Sequence, residues 1–355
     1  MWKDDWPAAR VALTDWWNGT GLALYVTSPA DTPWENVEAP EKGASAERRR
    51  LDTRYIVTAE RHRLANTYFG GAALPMFNTD IGGPGSLGLF MGATGHIAET
   101  TVWYDPCIDN PENHPPLGLD RNSMWWQRHI EVMQAGMADS SDRYLVTIPD
   151  LVENIDTLAQ LRGSQILMMD LVERPQWVER SLEEICDAYI RCYEEMWPIV
   201  QDPWGGISFY AFQLWGPGKT AKVQCDFCCM ISPRMFRKYV TPTLTRQCDY
   251  LDYAMYHLDG TQAIIQLPNL LEIEAIKAIE WTPQAGIPGG GSPEWYDLYR
   301  TIKKAGKSVQ AIDVAPHEVL PLIDAVGPEG LFIITSCPTE REARALLKSA
   351  GCIAN

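Results

Sequence analysis

Tyr253-Ala254-Met255-Tyr256-His257-Leu258-Asp259-Gly260 is the stretch whose reading decides the fold. An apolar and aromatic run leads straight into two polar, metal-capable side chains and then a glycine. His257 and Asp259 are two residues apart, so on an extended strand they point to the same face. Near the C-terminus the pattern returns, where Leu331-Phe332-Ile333-Ile334-Thr335 ends in Ser336-Cys337-Pro338. Trp281 and Asp313 stand near the ends of two apolar runs in between. Four successive strands that deliver polar groups at their C-terminal ends point to an α/β barrel, which keeps its chemistry on that rim.

Working outward, the chain reads as repeated strand–helix units. Helices are expected over 156–161, 175–199, 232–252, 268–276, 293–305, 317–325 and 339–349. Strands are expected over 21–28, 74–78, 144–151, 165–170, 207–214, 253–258, 278–282, 308–313 and 331–336, with a loop over 215–229 and one charged helix over 47–68. Such alternation implies a parallel sheet with right-handed crossovers. The fold class is therefore α/β, a single (β/α)8 TIM barrel over 21–355 with an N-terminal helical extension over 1–20. The runner-up is a doubly wound open sheet. That fold carries a glycine-rich turn after its first strand, where this chain has Thr27-Ser28-Pro29. Gly82-Gly83-Pro84-Gly85 lacks the Gly-Lys-Ser/Thr ending of a phosphate loop and reads as a turn before a helix.

The 355 residues carry a net charge of −16, which argues against nucleic acid or an anionic membrane as partner. Nine cysteines without a framework spacing, and a start with no apolar leader, lead to the expectation of reduced thiols in a cytoplasmic protein. Cys225-Asp226-Phe227-Cys228-Cys229 contains one Cys-x-x-Cys but no second pair, so buried structural thiols are the default there. Asp150 and Asp170, at expected strand ends, read equally as site residues or as helix caps.

From about Ile148 to Cys337 the chain resembles the uroporphyrinogen decarboxylase superfamily, which includes cobamide-dependent methyltransferases. The residues that carry the resemblance are Ile231-Ser232-Pro233-Arg234-Met235-Phe236-Arg237-Lys238-Tyr239-Val240-Thr241-Pro242, Asp226 before it, His257-Leu258-Asp259-Gly260, and Thr335-Ser336-Cys337. The decarboxylase's Arg-Gln-Ala-Gly-Arg segment is missing after the first strand, where Ser28-Pro29-Ala30-Asp31 stands. An octacarboxylate substrate would be badly matched to so acidic a chain. The resemblance thus implies the methyltransferase branch, with a methyl group moving from a small, methylated donor, O-methyl aromatics included, to a corrinoid carried by a partner protein. It allows a homodimer as the assembly.

In that branch zinc is held by His-x-Cys and a later Cys; here the matching positions are His257, Asp259 and Cys337. Three protein ligands and one open position make a catalytic zinc site. Without metal, His257 and Asp259 can serve as an acid/base pair, with Tyr210 and Asp226 as further catalytic candidates. A third reading gives His257 only a structural hydrogen bond. Tyr25, Asn78, Phe212, Tyr256, Trp281 and Asp313 are expected to line the substrate pocket, because each lies at or near an expected strand end. The alternatives in function are a metal-independent decarboxylase or lyase on a small carboxylic acid, and a non-catalytic ligand-binding barrel.

Overall fold

The computed structural model describes residues 1–352. Its centre is a mainly parallel seven-stranded sheet. In chain order the strands are β1 (Leu22–Pro29), β2 (Thr67–Gly71), β3 (Met76–Phe77), β4 (Thr94–Ile97), β5 (Val102–Asp105), β6 (Leu145–Ile148) and β7 (Ile207–Phe209). They continue as β8 (Leu214–Gly216), β9 (Thr220–Gln224), β10 (Tyr253–Asp259), β11 (Ile276–Thr282), β12 (Ser308–Ala311) and β13 (Leu331–Ser336). The large sheet runs β2-β1-β13-β12-β11-β10-β9, all parallel except β2. A second sheet runs β3-β6-β7-β8, with β8 antiparallel, and β4–β5 is a separate hairpin.

The two sheets are tied by neighbours rather than by a ladder. β7 lies beside β9 without sharing strand hydrogen bonds among the described residues, and none join β1 to β3. Helices cover the outside, as parallel strands require, since both faces of such a sheet must be buried. The helix Trp6–Trp17 closes the N-terminal edge. Its Trp16 Nε1 donates to Val309 O at 3.0 Å, and Trp17 Nε1 donates to Trp215 O at 2.9 Å. Each of these buried rings removes about 150–250 Å² from water, worth about 4–6 kcal/mol as an upper estimate.

Registers place one row of side chains across six strands of the inner face. Ala23, Phe332, Gln310, Glu280, His257 and Gln224 stand side by side on β1, β13, β12, β11, β10 and β9. Four of the six are polar, and burial obliges such groups to pair with one another. One step toward the N-terminal edge, Lys222 is 1% exposed and its ammonium lies 2.8 Å from Asp150 Oδ2.

Several local expectations are corrected. Gln165–Asp170 is no strand but part of the helix Ser164–Glu173, because its Leu and Met residues favour helix and Gly163 (φ 87°) ends the helix before it. Asp170 is then no strand-end site residue; it is fully buried and binds Arg162 and Arg174, each at 2.7 Å. The expected strand 207–214 breaks after Phe209, since Phe212 (φ 60°) and Gln213 (φ 54°) turn the chain back into β8. The expected loop 215–229 contains β9. The expected helix 47–68 is two helices followed by β2, an antiparallel edge strand; Gly71 has φ 60°, and a Cβ there would sit 2.2 Å from Leu24 O.

Candidate metal centre at the carboxyl ends of the strands

β10 delivers His257 and Asp259 on one face, as its two-residue period dictates, and Gly260 (φ 74°) then turns the chain away. Asp226 comes from the short 3-10 turn Asp226–Met230 that follows β9, the neighbour of β10. Asp226, His257 and Asp259 each offer a ligand atom within 4.8 Å of the others. No other group of three or more His, Cys, Asp or Glu meets that geometry among the described residues.

The shell around them is built. Glu280, fully buried and in register with His257, places Oε2 2.5 Å from His257 Nδ1, and its Oε1 accepts from Thr282 Oγ1 at 2.7 Å. That engagement leaves Nε2 as the imidazole nitrogen free to bind. Asp226 Oδ2 accepts from Gln224 Nε2 at 2.8 Å, and Gln224 in turn accepts from Lys222. Asp156 holds the Asp226 turn itself, accepting from the backbone N–H of Asp226 at 2.7 Å and of Phe227 at 2.8 Å. On the other side the Phe212 ring lies 4.6 Å from the His257 ring, centroid to centroid. Gln310 Nε2 donates to Phe212 O at 2.8 Å and Tyr25 O–H donates to Gln213 Oε1 at 2.9 Å. These bonds hold two left-handed residues whose backbone costs on the order of 1–3 kcal/mol each.

Charge is crowded here. Burial opposes protonation of His257, yet Glu280 outweighs it and holds the imidazole above its ordinary pKa. Burial raises Glu280 too, against the pull of His257 and Thr282, so the pair shares a proton tightly. Burial pushes Asp226 up, with His257 and Lys222 pulling the other way. Asp156 is raised to about 7 by burial and by Asp226, and Glu153 to about 8 by burial. Burial would lower Lys222, but Asp150 and Glu153 raise it, so the ammonium stays charged.

The structure sorts the sequence candidates. His257, Asp259 and Asp226 converge; Cys337 stays outside that group, buried and bonded through its backbone N–H to Thr27 O at 2.8 Å. Asp226, rather than the thiol, lies within reach of both His257 and Asp259. Tyr25 and Phe212 belong to the inner face, and Tyr210 is half-buried there with Arg63 over its ring at 5.9 Å. Asn78 instead closes a turn, its Oδ1 accepting from Asp80 N at 2.8 Å. Tyr256 and Trp281 lie on the opposite face of the sheet from the site. They alternate with His257 and Glu280 and so point outward, where Trp281 packs on Trp295 at 4.9 Å. Asp313 is exposed beyond β12 (φ 52°), its carbonyl against Gly289. No motif in the sequence marks Gln224, Lys222 or Gln310, and Glu280 is marked only weakly, by its place one residue before Trp281. Only strand register identifies them.

His257 with two carboxylates is a hard-to-borderline donor set, fit for Zn²⁺ and for other divalent first-row ions. Its buried carboxylate partner on the second ring nitrogen is the usual support of a metal-bound histidine. No protein-family model and no curated protein matches the chain.

Proposed function

We propose that this protein is a metal-dependent methyltransferase, moving a methyl group from a small methylated donor to a corrinoid on a partner protein. The observation that carries the reading is the convergence of Asp226, His257 and Asp259 with Glu280 behind His257 Nδ1. Asp226, His257 and Asp259 would hold a divalent metal, zinc in the first instance, which would supply a Lewis acid to the donor. The chain's own residues do the rest. Glu280 sets the tautomer of His257, Gln224 and Asp156 fix Asp226, and Phe212 shields the imidazole face from water.

The reading carries the uroporphyrinogen decarboxylase-like resemblance with it, and with that a closed (β/α)8 barrel. Support for closure comes from chain order, since β1, β3, β6, β7, β9, β10, β11, β12 and β13 follow one another around the two arcs. Among the described residues no outer helix separates β7, β8 and β9, so they form one unit and the strand–helix units number eight.

The test is anaerobic incubation with cob(I)alamin and methylated donors, before and after metal removal. Methylcobalamin should form with the metal-loaded protein and fall at least a hundredfold in the Asp226→Asn variant. A lyase acting without metal would instead keep its activity after chelation, with His257 and Asp259 as its acid/base pair.

A further inference from the structure

The Asp226 carboxylate faces two ways. On one side it joins His257 and Asp259; on the other it forms part of the floor of a cavity of about 560 Å³. Asp156 and Gln224 complete that floor, while Trp103, Tyr104 and Met230 stand in the wall. The hairpin β4–β5 supplies the two aromatic residues, and Tyr104 is fastened by its hydroxyl, which donates to Gly82 O at 2.9 Å. Trp103 is 67% exposed and Met230 44% exposed, a large apolar ring and a thioether left in water beside a polar floor.

The composition of this wall selects by charge. None of its fourteen lining residues is lysine, arginine or histidine, whereas two are aspartates and three are aromatic. An anionic ligand would meet the Asp226 carboxylate and no cation in the lining itself, since His257 and Lys222 lie behind Asp226. A neutral ligand would gain apolar contact alone. A cation gains from the carboxylates and from the negative faces of the rings, and a methylated ammonium, weakly hydrated and apolar at its surface, gains most.

We infer that this cavity binds a small methylated ammonium ion, the methyl donor, with its methyl groups against Trp103 and Tyr104 and its charge over Asp156 and Asp226. The inference rests on the methyl-transfer reading. It narrows the donor to an ammonium that also bears an oxygen for the neighbouring metal group. The chemistry balances without an added proton. The N–CH3 bond breaks with its electron pair passing to nitrogen, which leaves as a neutral tertiary amine, while the lone pair of a reduced corrinoid forms the new bond to carbon. A neutral amine, once formed, no longer gains from the carboxylates and departs.

Choline and its uncharged isostere 3,3-dimethylbutan-1-ol separate charge from shape. In calorimetric titrations of the metal-loaded protein, choline should bind at least tenfold more tightly than the alcohol, and the advantage should shrink as salt rises. 4-Methoxybenzoate should not bind. Trp103→Ala should weaken choline at least fivefold, and Trp103→Phe should restore most of the loss. Trp103 is exposed and remote from the core, so these variants should keep wild-type circular dichroism and metal content. Equal affinity for choline and the alcohol would overturn the inference, as would absence of choline binding or its indifference to Trp103→Ala. Metal content, measured on the same samples, judges the metal centre separately, and methylcobalamin formed from anisole without choline binding would keep the broader reading while sinking the ammonium site. Bound metal without choline binding sinks the ammonium site alone, and choline binding without metal sinks the metal centre alone.

Discussion

Glu280 Oε2 lies 2.5 Å from Nδ1 of His257, and the two residues are paired in register on adjacent parallel strands. A fully buried carboxylate is held where a metal-bound imidazole needs its second nitrogen engaged. Because the geometry is set by strand register, neither side chain is free to drift.

Removing the negative charge while keeping the shape tests that relationship. Glu280→Gln should leave the fold intact and weaken zinc binding about 10–100-fold, the usual cost of losing such a partner. Competition with a chromophoric chelator gives the affinity; an unchanged constant would make Glu280 merely a core carboxylate.

The identity of the third ligand is open to direct test. Asp226→Asn should lose most of the metal at fixed free zinc, and Cys337→Ser should keep it. Metal loss in Cys337→Ser with Asp226→Asn unaffected would restore the ligand set expected from the sequence.

That expectation shows where sequence reading succeeds and where it stops. β10, β11, β12 and β13 were legible within two residues, because β-branched and aromatic runs bounded by Gly and Pro carry their own signal. The shared face of His257 and Asp259 followed from the strand period alone. The partner on the next strand did not, since register between strands is a tertiary property. Lys222 and Gln224 were hidden because β9 is short and polar, and nothing local separates such a strand from loop. Tyr256 and Trp281 were misplaced by the reverse error. Proximity to a strand end does not say which face a residue takes, because successive side chains alternate.

The buried Lys222–Asp150 pair sits beneath the site, and breaking it should cost stability rather than chemistry alone. Lys222→Met strands a carboxylate in the interior and should lower unfolding free energy by about 3–5 kcal/mol. The double variant Lys222→Met, Asp150→Leu should recover much of that. Urea unfolding decides it, and a single variant as stable as wild type would contradict the pairing.

Acid sensitivity should have one identifiable source in His129. Burial holds its pKa at about 4, its Nδ1–H donates to Trp125 O at 2.7 Å, and Nε2 accepts from Ser86 Oγ at 3.1 Å. The unfolded imidazole takes its proton near 6.5, so the folded state binds fewer protons between the two values. Its contribution is fully present above about 6.5 and is lost as pH falls toward about 4, about 3 kcal/mol in all. His129→Gln should flatten that part of the stability–pH curve. An unchanged slope would place the acid limb elsewhere.

The central claim is a metal held by one imidazole and two carboxylates. X-ray absorption at the zinc edge of reconstituted protein tests it most directly. The account predicts about one zinc per chain, with a first shell of one nitrogen from His257 and oxygens from Asp226 and Asp259 at about 2.0–2.2 Å. A sulfur scatterer near 2.3 Å, or no bound zinc after reconstitution, would contradict it.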